Sequence, residues 1–138
     1  MPLTDDTRQR LLAAAQEARQ RAYAPYSGYR VGAALLTASG DILTGCNVEN
    51  ATYGATICAE RTAVVKAVSE GERAFQAIAI ATANGGSPCG ICRQVLHEFA
   101  PDLLVITVDE GGNVHYEGSL RGLLPLGFGP EDLAGRPD

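Results

Sequence analysis

Two short segments hold the residue types that could do chemistry: Cys58-Ala59-Glu60 and Pro88-Cys89-Gly90-Ile91-Cys92. Cys89 and Cys92 stand three apart, and in the first turn of a helix that spacing lets both sulfurs face one centre. Cys58 falls at the first turn of another predicted helix. Thiolates at two helix N-termini gain from the positive ends of the dipoles, which favour the deprotonated form. Zinc is the natural guest of soft sulfur ligands in a tetrahedral site. Three protein ligands leave the fourth position to water, as in a catalytic zinc, whereas four mark a structural one.

The remaining cysteine therefore matters, because Cys46 as a fourth ligand would leave the metal inert. Strand alternation puts Ile42, Thr44 and Cys46 on one face and Leu43, Gly45, Asn47 and Glu49 on the other. We read Cys46 as a small buried apolar residue. Glu60 lies two residues after Cys58. A structural zinc has no use for a carboxylate there, and a hydrolytic one needs it as a proton carrier. Zinc with three thiolates sums to a charge of about −1, so it acidifies water less than a metal held by neutral imidazoles. Glu60 suits the base that is then needed, and Arg61 or Arg93, beside the ligand positions, could offset the negative charge. A C-x-x-C pair also occurs in structural zinc knuckles and redox dithiols, and Arg61 also reads as a plain salt-bridge partner. His97 and His115 have no metal-like spacing to the cysteines; His97 is expected on a helix surface and His115 on a strand edge.

Composition narrows the setting. The 138 residues suit a single domain, and 46% hydrophobic with 20% charged residues is ordinary for a folded chain. A net charge of −5 repels a phosphate backbone, so no nucleic-acid partner is expected. No apolar run reaches the roughly 18 residues of a membrane span. Residues 1–10 are polar and lack the apolar stretch of a secretory signal. Four cysteines could form two disulfides in an exported chain; without an export signal, metal-binding thiolates in a reducing cytoplasm are the expectation.

The elements that must position these residues follow from periodicity and punctuation. Thr4-Asp5-Asp6-Thr7 starts a helix carrying Leu11, Ala15, Ala18 and Ala22 on one face, which should end before Ala24-Pro25. Residues 30–38 and 41–48 read as an antiparallel strand pair across Ser39-Gly40, and residues 50–56 as a loop. Residues 58–70 read as a helix apolar nearly all round, hence buried in the core or a subunit contact. A strand over residues 75–83, a Gly-rich loop and a helix to Phe99 follow. The apolar run 103–108 reads as a central strand. Residues 114–117 return antiparallel after a turn too short for a crossover, and 119–124 make a helical turn or two. The sum is α/β: one mixed five-stranded sheet with helices on both faces. Residues 1–138 form one domain, with an ordered core over 1–128 and a loose tail over 129–138.

The same residues also resemble a known family. The Cys-x-Glu and Pro-Cys-x-x-Cys pair is similar to the zinc-dependent nucleobase deaminases. Ala24-Pro25-Tyr26-Ser27, Val31-Gly32-Ala33-Ala34, Gly45-Cys46-Asn47-Val48-Glu49-Asn50, Cys58-Ala59-Glu60-Arg61-Thr62-Ala63 and Pro88-Cys89-Gly90-Ile91-Cys92-Arg93-Gln94 narrow it. Together with Leu123-Leu124-Pro125 and Phe128, they resemble the small homotetrameric cytidine deaminases over nearly the whole chain.

The resemblance implies a three-layer α-β-α cytidine deaminase-like fold and one zinc per subunit, held by Cys58, Cys89 and Cys92. It implies that Glu60 carries protons from the activated water to N3 of cytosine and then to the leaving amine. Asn47 and Glu49 would hold the ribose, the Ala59 backbone N–H the base carbonyl, and Arg61 the ligand sulfurs. Tyr29 falls where this family commonly has Phe against the base, so its hydroxyl must find a partner or water. Tyr53 and Phe128 would reach neighbouring subunits' cavities in a homotetramer. The expected reaction is hydrolytic deamination of cytidine and deoxycytidine, in cytoplasmic pyrimidine salvage, with a carboxylate at Glu49 favouring nucleosides over phosphorylated ligands. Two other readings remain: a deaminase of nucleoside antibiotics or RNA, and a non-catalytic zinc-stabilised binding module closed by Cys46.

Overall fold

The first helix begins where its capping residue predicts. The Thr4 hydroxyl accepts from the Thr7 N–H at 3.1 Å, and α1 runs Asp5–Arg19 with both acids in its first turn. In the computed structural model, which describes residues 3–134, this helix is followed by β1 (Gly32–Thr37), β2 (Ile42–Cys46), α2 (Ala59–Ser69), β3 (Phe75–Ala81), α3 (Gly90–Phe99), β4 (Leu104–Val108) and β5 (Val114–Ser119). The five strands form one mixed sheet in the order β2-β1-β3-β4-β5, in which β3 and β4 are parallel and the other pairs antiparallel. The sheet has the expected fold class. The apolar run of β4 lies inside the sheet, but the middle strand is β3.

The sheet is buried on both faces because β1 and β3 are apolar at every position that matters. Ala33 and Leu35 of β1 join Ile78 and Ile80 of β3 in one cluster with Ala63, Val64 and Leu96 of α2 and α3. Ala34, Leu36, Ala77 and Ala79 point the other way onto Leu11 and Ala15 of α1. The result is three layers: α1, sheet, then α2 with α3. Gly45 sets how closely α2 approaches β2: a Cβ there would stand 2.6 Å from both the Ala59 carbonyl oxygen and the Ala63 nitrogen. That contact brings the start of α2 beside the end of β2, where Asn47 and Glu49 follow.

Several expectations are corrected. α1 ends before Ala24-Pro25 as expected, but already at Arg19 and so without Ala22, since Gln20, Arg21 and Ala22 make tighter i−3 bonds and Tyr23 leaves to pair with Val48. Strand pairing thus overrides helix propensity. His97 is buried, at 2% exposure, because the chain after β5 folds back over α3; a Cβ at Gly127 would lie 3.1 Å from its ring. The face of α2 carrying Val65 is exposed in the single chain. Residues 120–122 form one 3-10 turn. Of the segment expected to be loose, Gly129 donates to Asp132 Oδ2 around a 3-10 turn at Pro130–Asp132, and residues 135–138 lie outside those described. No helix among the described residues is long and apolar enough to cross a membrane.

Candidate active site

Both sulfur-bearing segments end up as helix starts. Cys58 is the N-cap of α2 and Cys89 the N-cap of α3, and neither side chain caps its own helix. The two sulfurs are thereby left for another use while sitting at positive dipole ends. Cys92, one turn into α3, completes the group. The Sγ atoms of Cys58 and Cys89 are 3.8 Å apart, those of Cys89 and Cys92 3.4 Å, and all three lie within 4.8 Å of one another. Zinc–sulfur bonds of about 2.3 Å in a tetrahedron set sulfurs about 3.8 Å apart, so this donor set fits zinc. Cys46 does not join the group. It is half-buried, not fully buried as expected, and lines a separate cavity with Arg21 and Lys66.

The electrostatics point one way. The Cys58 thiol is held down to about 5 by hydrogen bonding with Cys92 first, then by Arg61 and Cys89. Cys92 is pushed up, by its bond with Cys58 and by burial. One thiolate therefore forms readily and the next resists until a cation arrives. Arg61 Nη2 donates to Cys58 Sγ at 3.5 Å, in the place expected of it. Arg93 does something else: its guanidinium donates to the Pro88 carbonyl at 2.7 Å, the Ser87 hydroxyl at 2.9 Å and the Leu123 carbonyl at 2.8 Å. It braces the loop ahead of Cys89 and does not touch a sulfur.

Glu60 is only 4% exposed, and burial pushes its carboxyl up to about 7. It lines a cavity of about 290 Å³ together with Cys58, Cys89, Asn47, Glu49 and Tyr29. That is the size of a small-molecule pocket. Glu49 is ionised below the usual carboxylate range, foremost through its bond with Ser27. Its Oε1 accepts from the Tyr26 and Ser27 N–H groups at 2.9 and 3.1 Å, and the Ser27 hydroxyl donates to Oε2. Asn47 Oδ1 accepts from Val31 N–H at 2.9 Å and its amide donates to the Tyr29 carbonyl at 2.8 Å. Each retains an unused acceptor or donor for a ligand. Ala59 is buried as the first residue of α2, so its N–H belongs to the turn that lacks intrahelical acceptors. Tyr29 finds the partner its hydroxyl requires, donating to Asn84 Oδ1 at 2.7 Å.

Two expected residues lie outside this cavity in the single chain. Tyr53 is 75% exposed, edge-on to Tyr26 with ring centroids 5.8 Å apart, in an adjoining hollow that shares Ser27, Glu49 and Thr56. Phe128 is 56% exposed, its carbonyl accepting from Gln94 Nε2 at 2.8 Å. Sequence reasoning missed Ser27, Thr82 and Gly86, which also line the main cavity. The Ala24-Pro25-Tyr26-Ser27 segment carries a signal for Ser27; nothing local marks Thr82.

Comparison with known proteins agrees with this arrangement. The family model for the cytidine and deoxycytidylate deaminase zinc-binding region matches residues 5–108. A cytidine deaminase of Sporosarcina psychrophila is 45% identical over 128 residues, covering 91% of this chain and 94% of that one. A probable cytidine deaminase of Dictyostelium discoideum is 48% identical over 91% of this chain and 86% of its own. The crystal structure of cytidine deaminase from Burkholderia pseudomallei superposes with a TM-score of 0.84 at 45% identity, covering 91% of this chain and all of that one. With three thiols gathered at two helix starts and this breadth of similarity, the chain belongs to the family of zinc-binding cytidine and deoxycytidylate deaminases.

Proposed function

We propose that this chain hydrolyses cytidine and 2′-deoxycytidine to uridine and 2′-deoxyuridine, releasing ammonia, in cytoplasmic pyrimidine salvage. The observation that carries the reading is one small cavity lined at once by two metal-binding thiols, a buried carboxyl and a hydroxyl-binding carboxylate. Cys58, Cys89 and Cys92 hold the zinc, with Arg61 offsetting their charge. When bound, the metal is the Lewis acid that makes water nucleophilic near neutral pH.

The remaining steps fall to this chain's own side chains. Glu60 takes a proton from the attacking water and gives it to N3, which makes C4 of the ring electrophilic. It then takes the second proton from the hydroxyl now on C4 and gives it to the amine; the C4–N bond breaks, the C4 carbonyl forms, and water and cytidine have become uridine and ammonia. A carboxyl shifted to about 7 by burial can both accept and release a proton at neutral pH. Asn47 and Glu49 take the ribose hydroxyls, and the Ala59 N–H the base carbonyl, while Tyr29 lies against the ring. The exposed rings of Tyr53 and Phe128 support a homotetramer in which each enters a neighbour's cavity. Nothing in these contacts requires a 2′-hydroxyl.

Ultraviolet absorbance of cytidine with zinc-loaded protein is the test. Conversion to uridine with matching ammonia is expected, and absence of turnover overturns the reading. Competition with a blasticidin-like nucleoside and with single-stranded RNA assigns the substrate class. Glu49 accepts hydroxyl donors and repels phosphate, so cytidine should win.

A further inference from the structure

The cavity is assembled from two parts of the chain. Residues 26–31 and 47–49 form one part, knitted by the bonds of Glu49 to Tyr26 and Ser27 and of Asn47 to Tyr29 and Val31. The other is the loop from Thr82 to Cys89, which delivers a metal ligand. Within that loop, Thr82 Oγ1 accepts from the Gly85 and Gly86 N–H groups at 2.7 and 2.9 Å and lies 3.4 Å from Asn84 Oδ1. Beyond the β1–β3 ladder, the hydrogen bond joining the two parts among the described residues is Tyr29 Oη to Asn84 Oδ1, at 2.7 Å. Tyr29 is itself fixed at both backbone ends: its N–H donates to Ser27 Oγ at 3.0 Å and its carbonyl accepts from Asn47.

Gly86 makes room for this hydroxyl. A Cβ at Gly86 would stand 2.7 Å from Tyr29 Oη but 3.9 Å from Cζ, with Asn84 Oδ1 at 3.6 Å. The phenol oxygen is thus the sole close obstacle to a side chain there, and a phenyl ring in its place would meet that Cβ at ordinary contact distance.

We propose that the Tyr29 hydroxyl is a strut seated on Gly86, tying the ribose-holding part of the cavity to the loop that presents Cys89, and so setting metal retention and substrate affinity together. Tyr29 acts on the metal through Asn84 and its loop, so towards zinc it is a positioning residue. The affinity half rests on the nucleoside reading above; the metal half does not. One net hydrogen bond of about 1 kcal/mol corresponds to about a fivefold change in a rate or equilibrium constant.

The test reads zinc release to a chromogenic chelator, alongside KM for cytidine. Tyr29→Phe and Asn84→Ala should each speed release about fivefold and raise KM, and the double variant should match either single one. Gly86→Ala, whose Cβ would both clash with the hydroxyl and break its bond to Asn84, should release zinc faster than Tyr29→Phe does. Adding Tyr29→Phe to Gly86→Ala should slow release back to the Tyr29→Phe rate, a rescue that general loosening would not produce. The strut is overturned if Tyr29→Phe holds zinc like the parent protein, if its effect multiplies with that of Asn84→Ala, or if the Gly86→Ala variant still releases zinc faster than Tyr29→Phe once that change is added to it. Should the parent protein turn over no cytidine, the nucleoside reading falls and the release rates alone decide the strut.

Discussion

The two groups of residues that line the cavity are prepared in opposite ways. Glu49 and Asn47 are already held by five hydrogen bonds with the chain's own Tyr26, Ser27, Tyr29 and Val31. Their orientation is fixed before any ligand arrives, which lowers the entropy cost of binding. The sulfur group and Glu60 are left short of partners. Among the described residues, the thiols of Cys58, Cys89 and Cys92 bond with one another and Arg61, and Glu60 is buried with its ionisation opposed by desolvation. One group is finished by the fold, and the other waits for a cation and a substrate to finish it. Binding groups gain by being held in place ahead of the ligand, whereas groups that must exchange protons gain from an environment that keeps both protonation states close in energy.

That contrast fixes the order of expected effects. The largest comes from the unfinished group. Cys92→Ser should abolish zinc binding and with it all turnover, measured as metal content by elemental analysis and rate by absorbance. Chelation of the parent protein should do the same reversibly, zinc restoring activity. Glu60→Gln should keep its zinc and lose about 10²–10⁴ in kcat. A Glu60→Gln variant running near the parent rate would break the comparison, because the buried carboxyl would then be structural. A smaller effect is expected from the finished group. Glu49→Gln removes the charge from a network of charge-assisted bonds, so kcat/KM should fall about 10- to 100-fold, mainly through KM. Because Ser27 and its neighbours hold Glu49 below the ordinary carboxylate value of 4.5, KM of the parent should stay flat as pH falls to that point. It should rise only below it, once the carboxylate protonates. A KM that climbed from neutral pH downward would show that Glu49 is not the group being read.

The same contrast explains what the sequence makes legible. Cys58, Cys89, Cys92 and Glu60 can be read because their chemistry depends on local spacing at two helix starts, and periodicity gives those starts. The five strands follow from apolar runs, and short turns force the β1–β2 and β4–β5 pairings; the β1–β3 and β3–β4 pairings close across α2 and α3 and are not set by local pattern. The Asn47 and Glu49 pair is half legible: alternation carried past the end of β2 puts the two on one face, but does not give the partners that orient them. Ser27 lies 22 residues from Glu49, and Asn84 lies 55 from Tyr29, so only the folded chain brings them within bonding distance. Arg93 looks like a charge beside a metal and proves to be a brace, because Leu123 returns over α3 from 30 residues away. His97 is hidden by the same returning segment. Local pattern reports the element; long-range closure decides which face meets water.

The smallest expected effect is the one that guards the comparison. The claim that the sulfur group is unfinished requires that no fourth protein ligand completes it. Cys46 is the remaining thiol; it ends β2 and lies in another cavity with Arg21 and Lys66, outside the group of three sulfurs. Cys46→Ser exchanges sulfur for oxygen at a half-buried position outside the catalytic cavity, a change within about 1 kcal/mol in stability. Zinc content should remain at one per chain and kcat/KM within about threefold of the parent, since neither ligand nor proton carrier is touched. Loss of zinc from this variant would mean that Cys46 swings in to close the metal's coordination. Water would then have no place to be activated, and Glu60 would have no proton to carry.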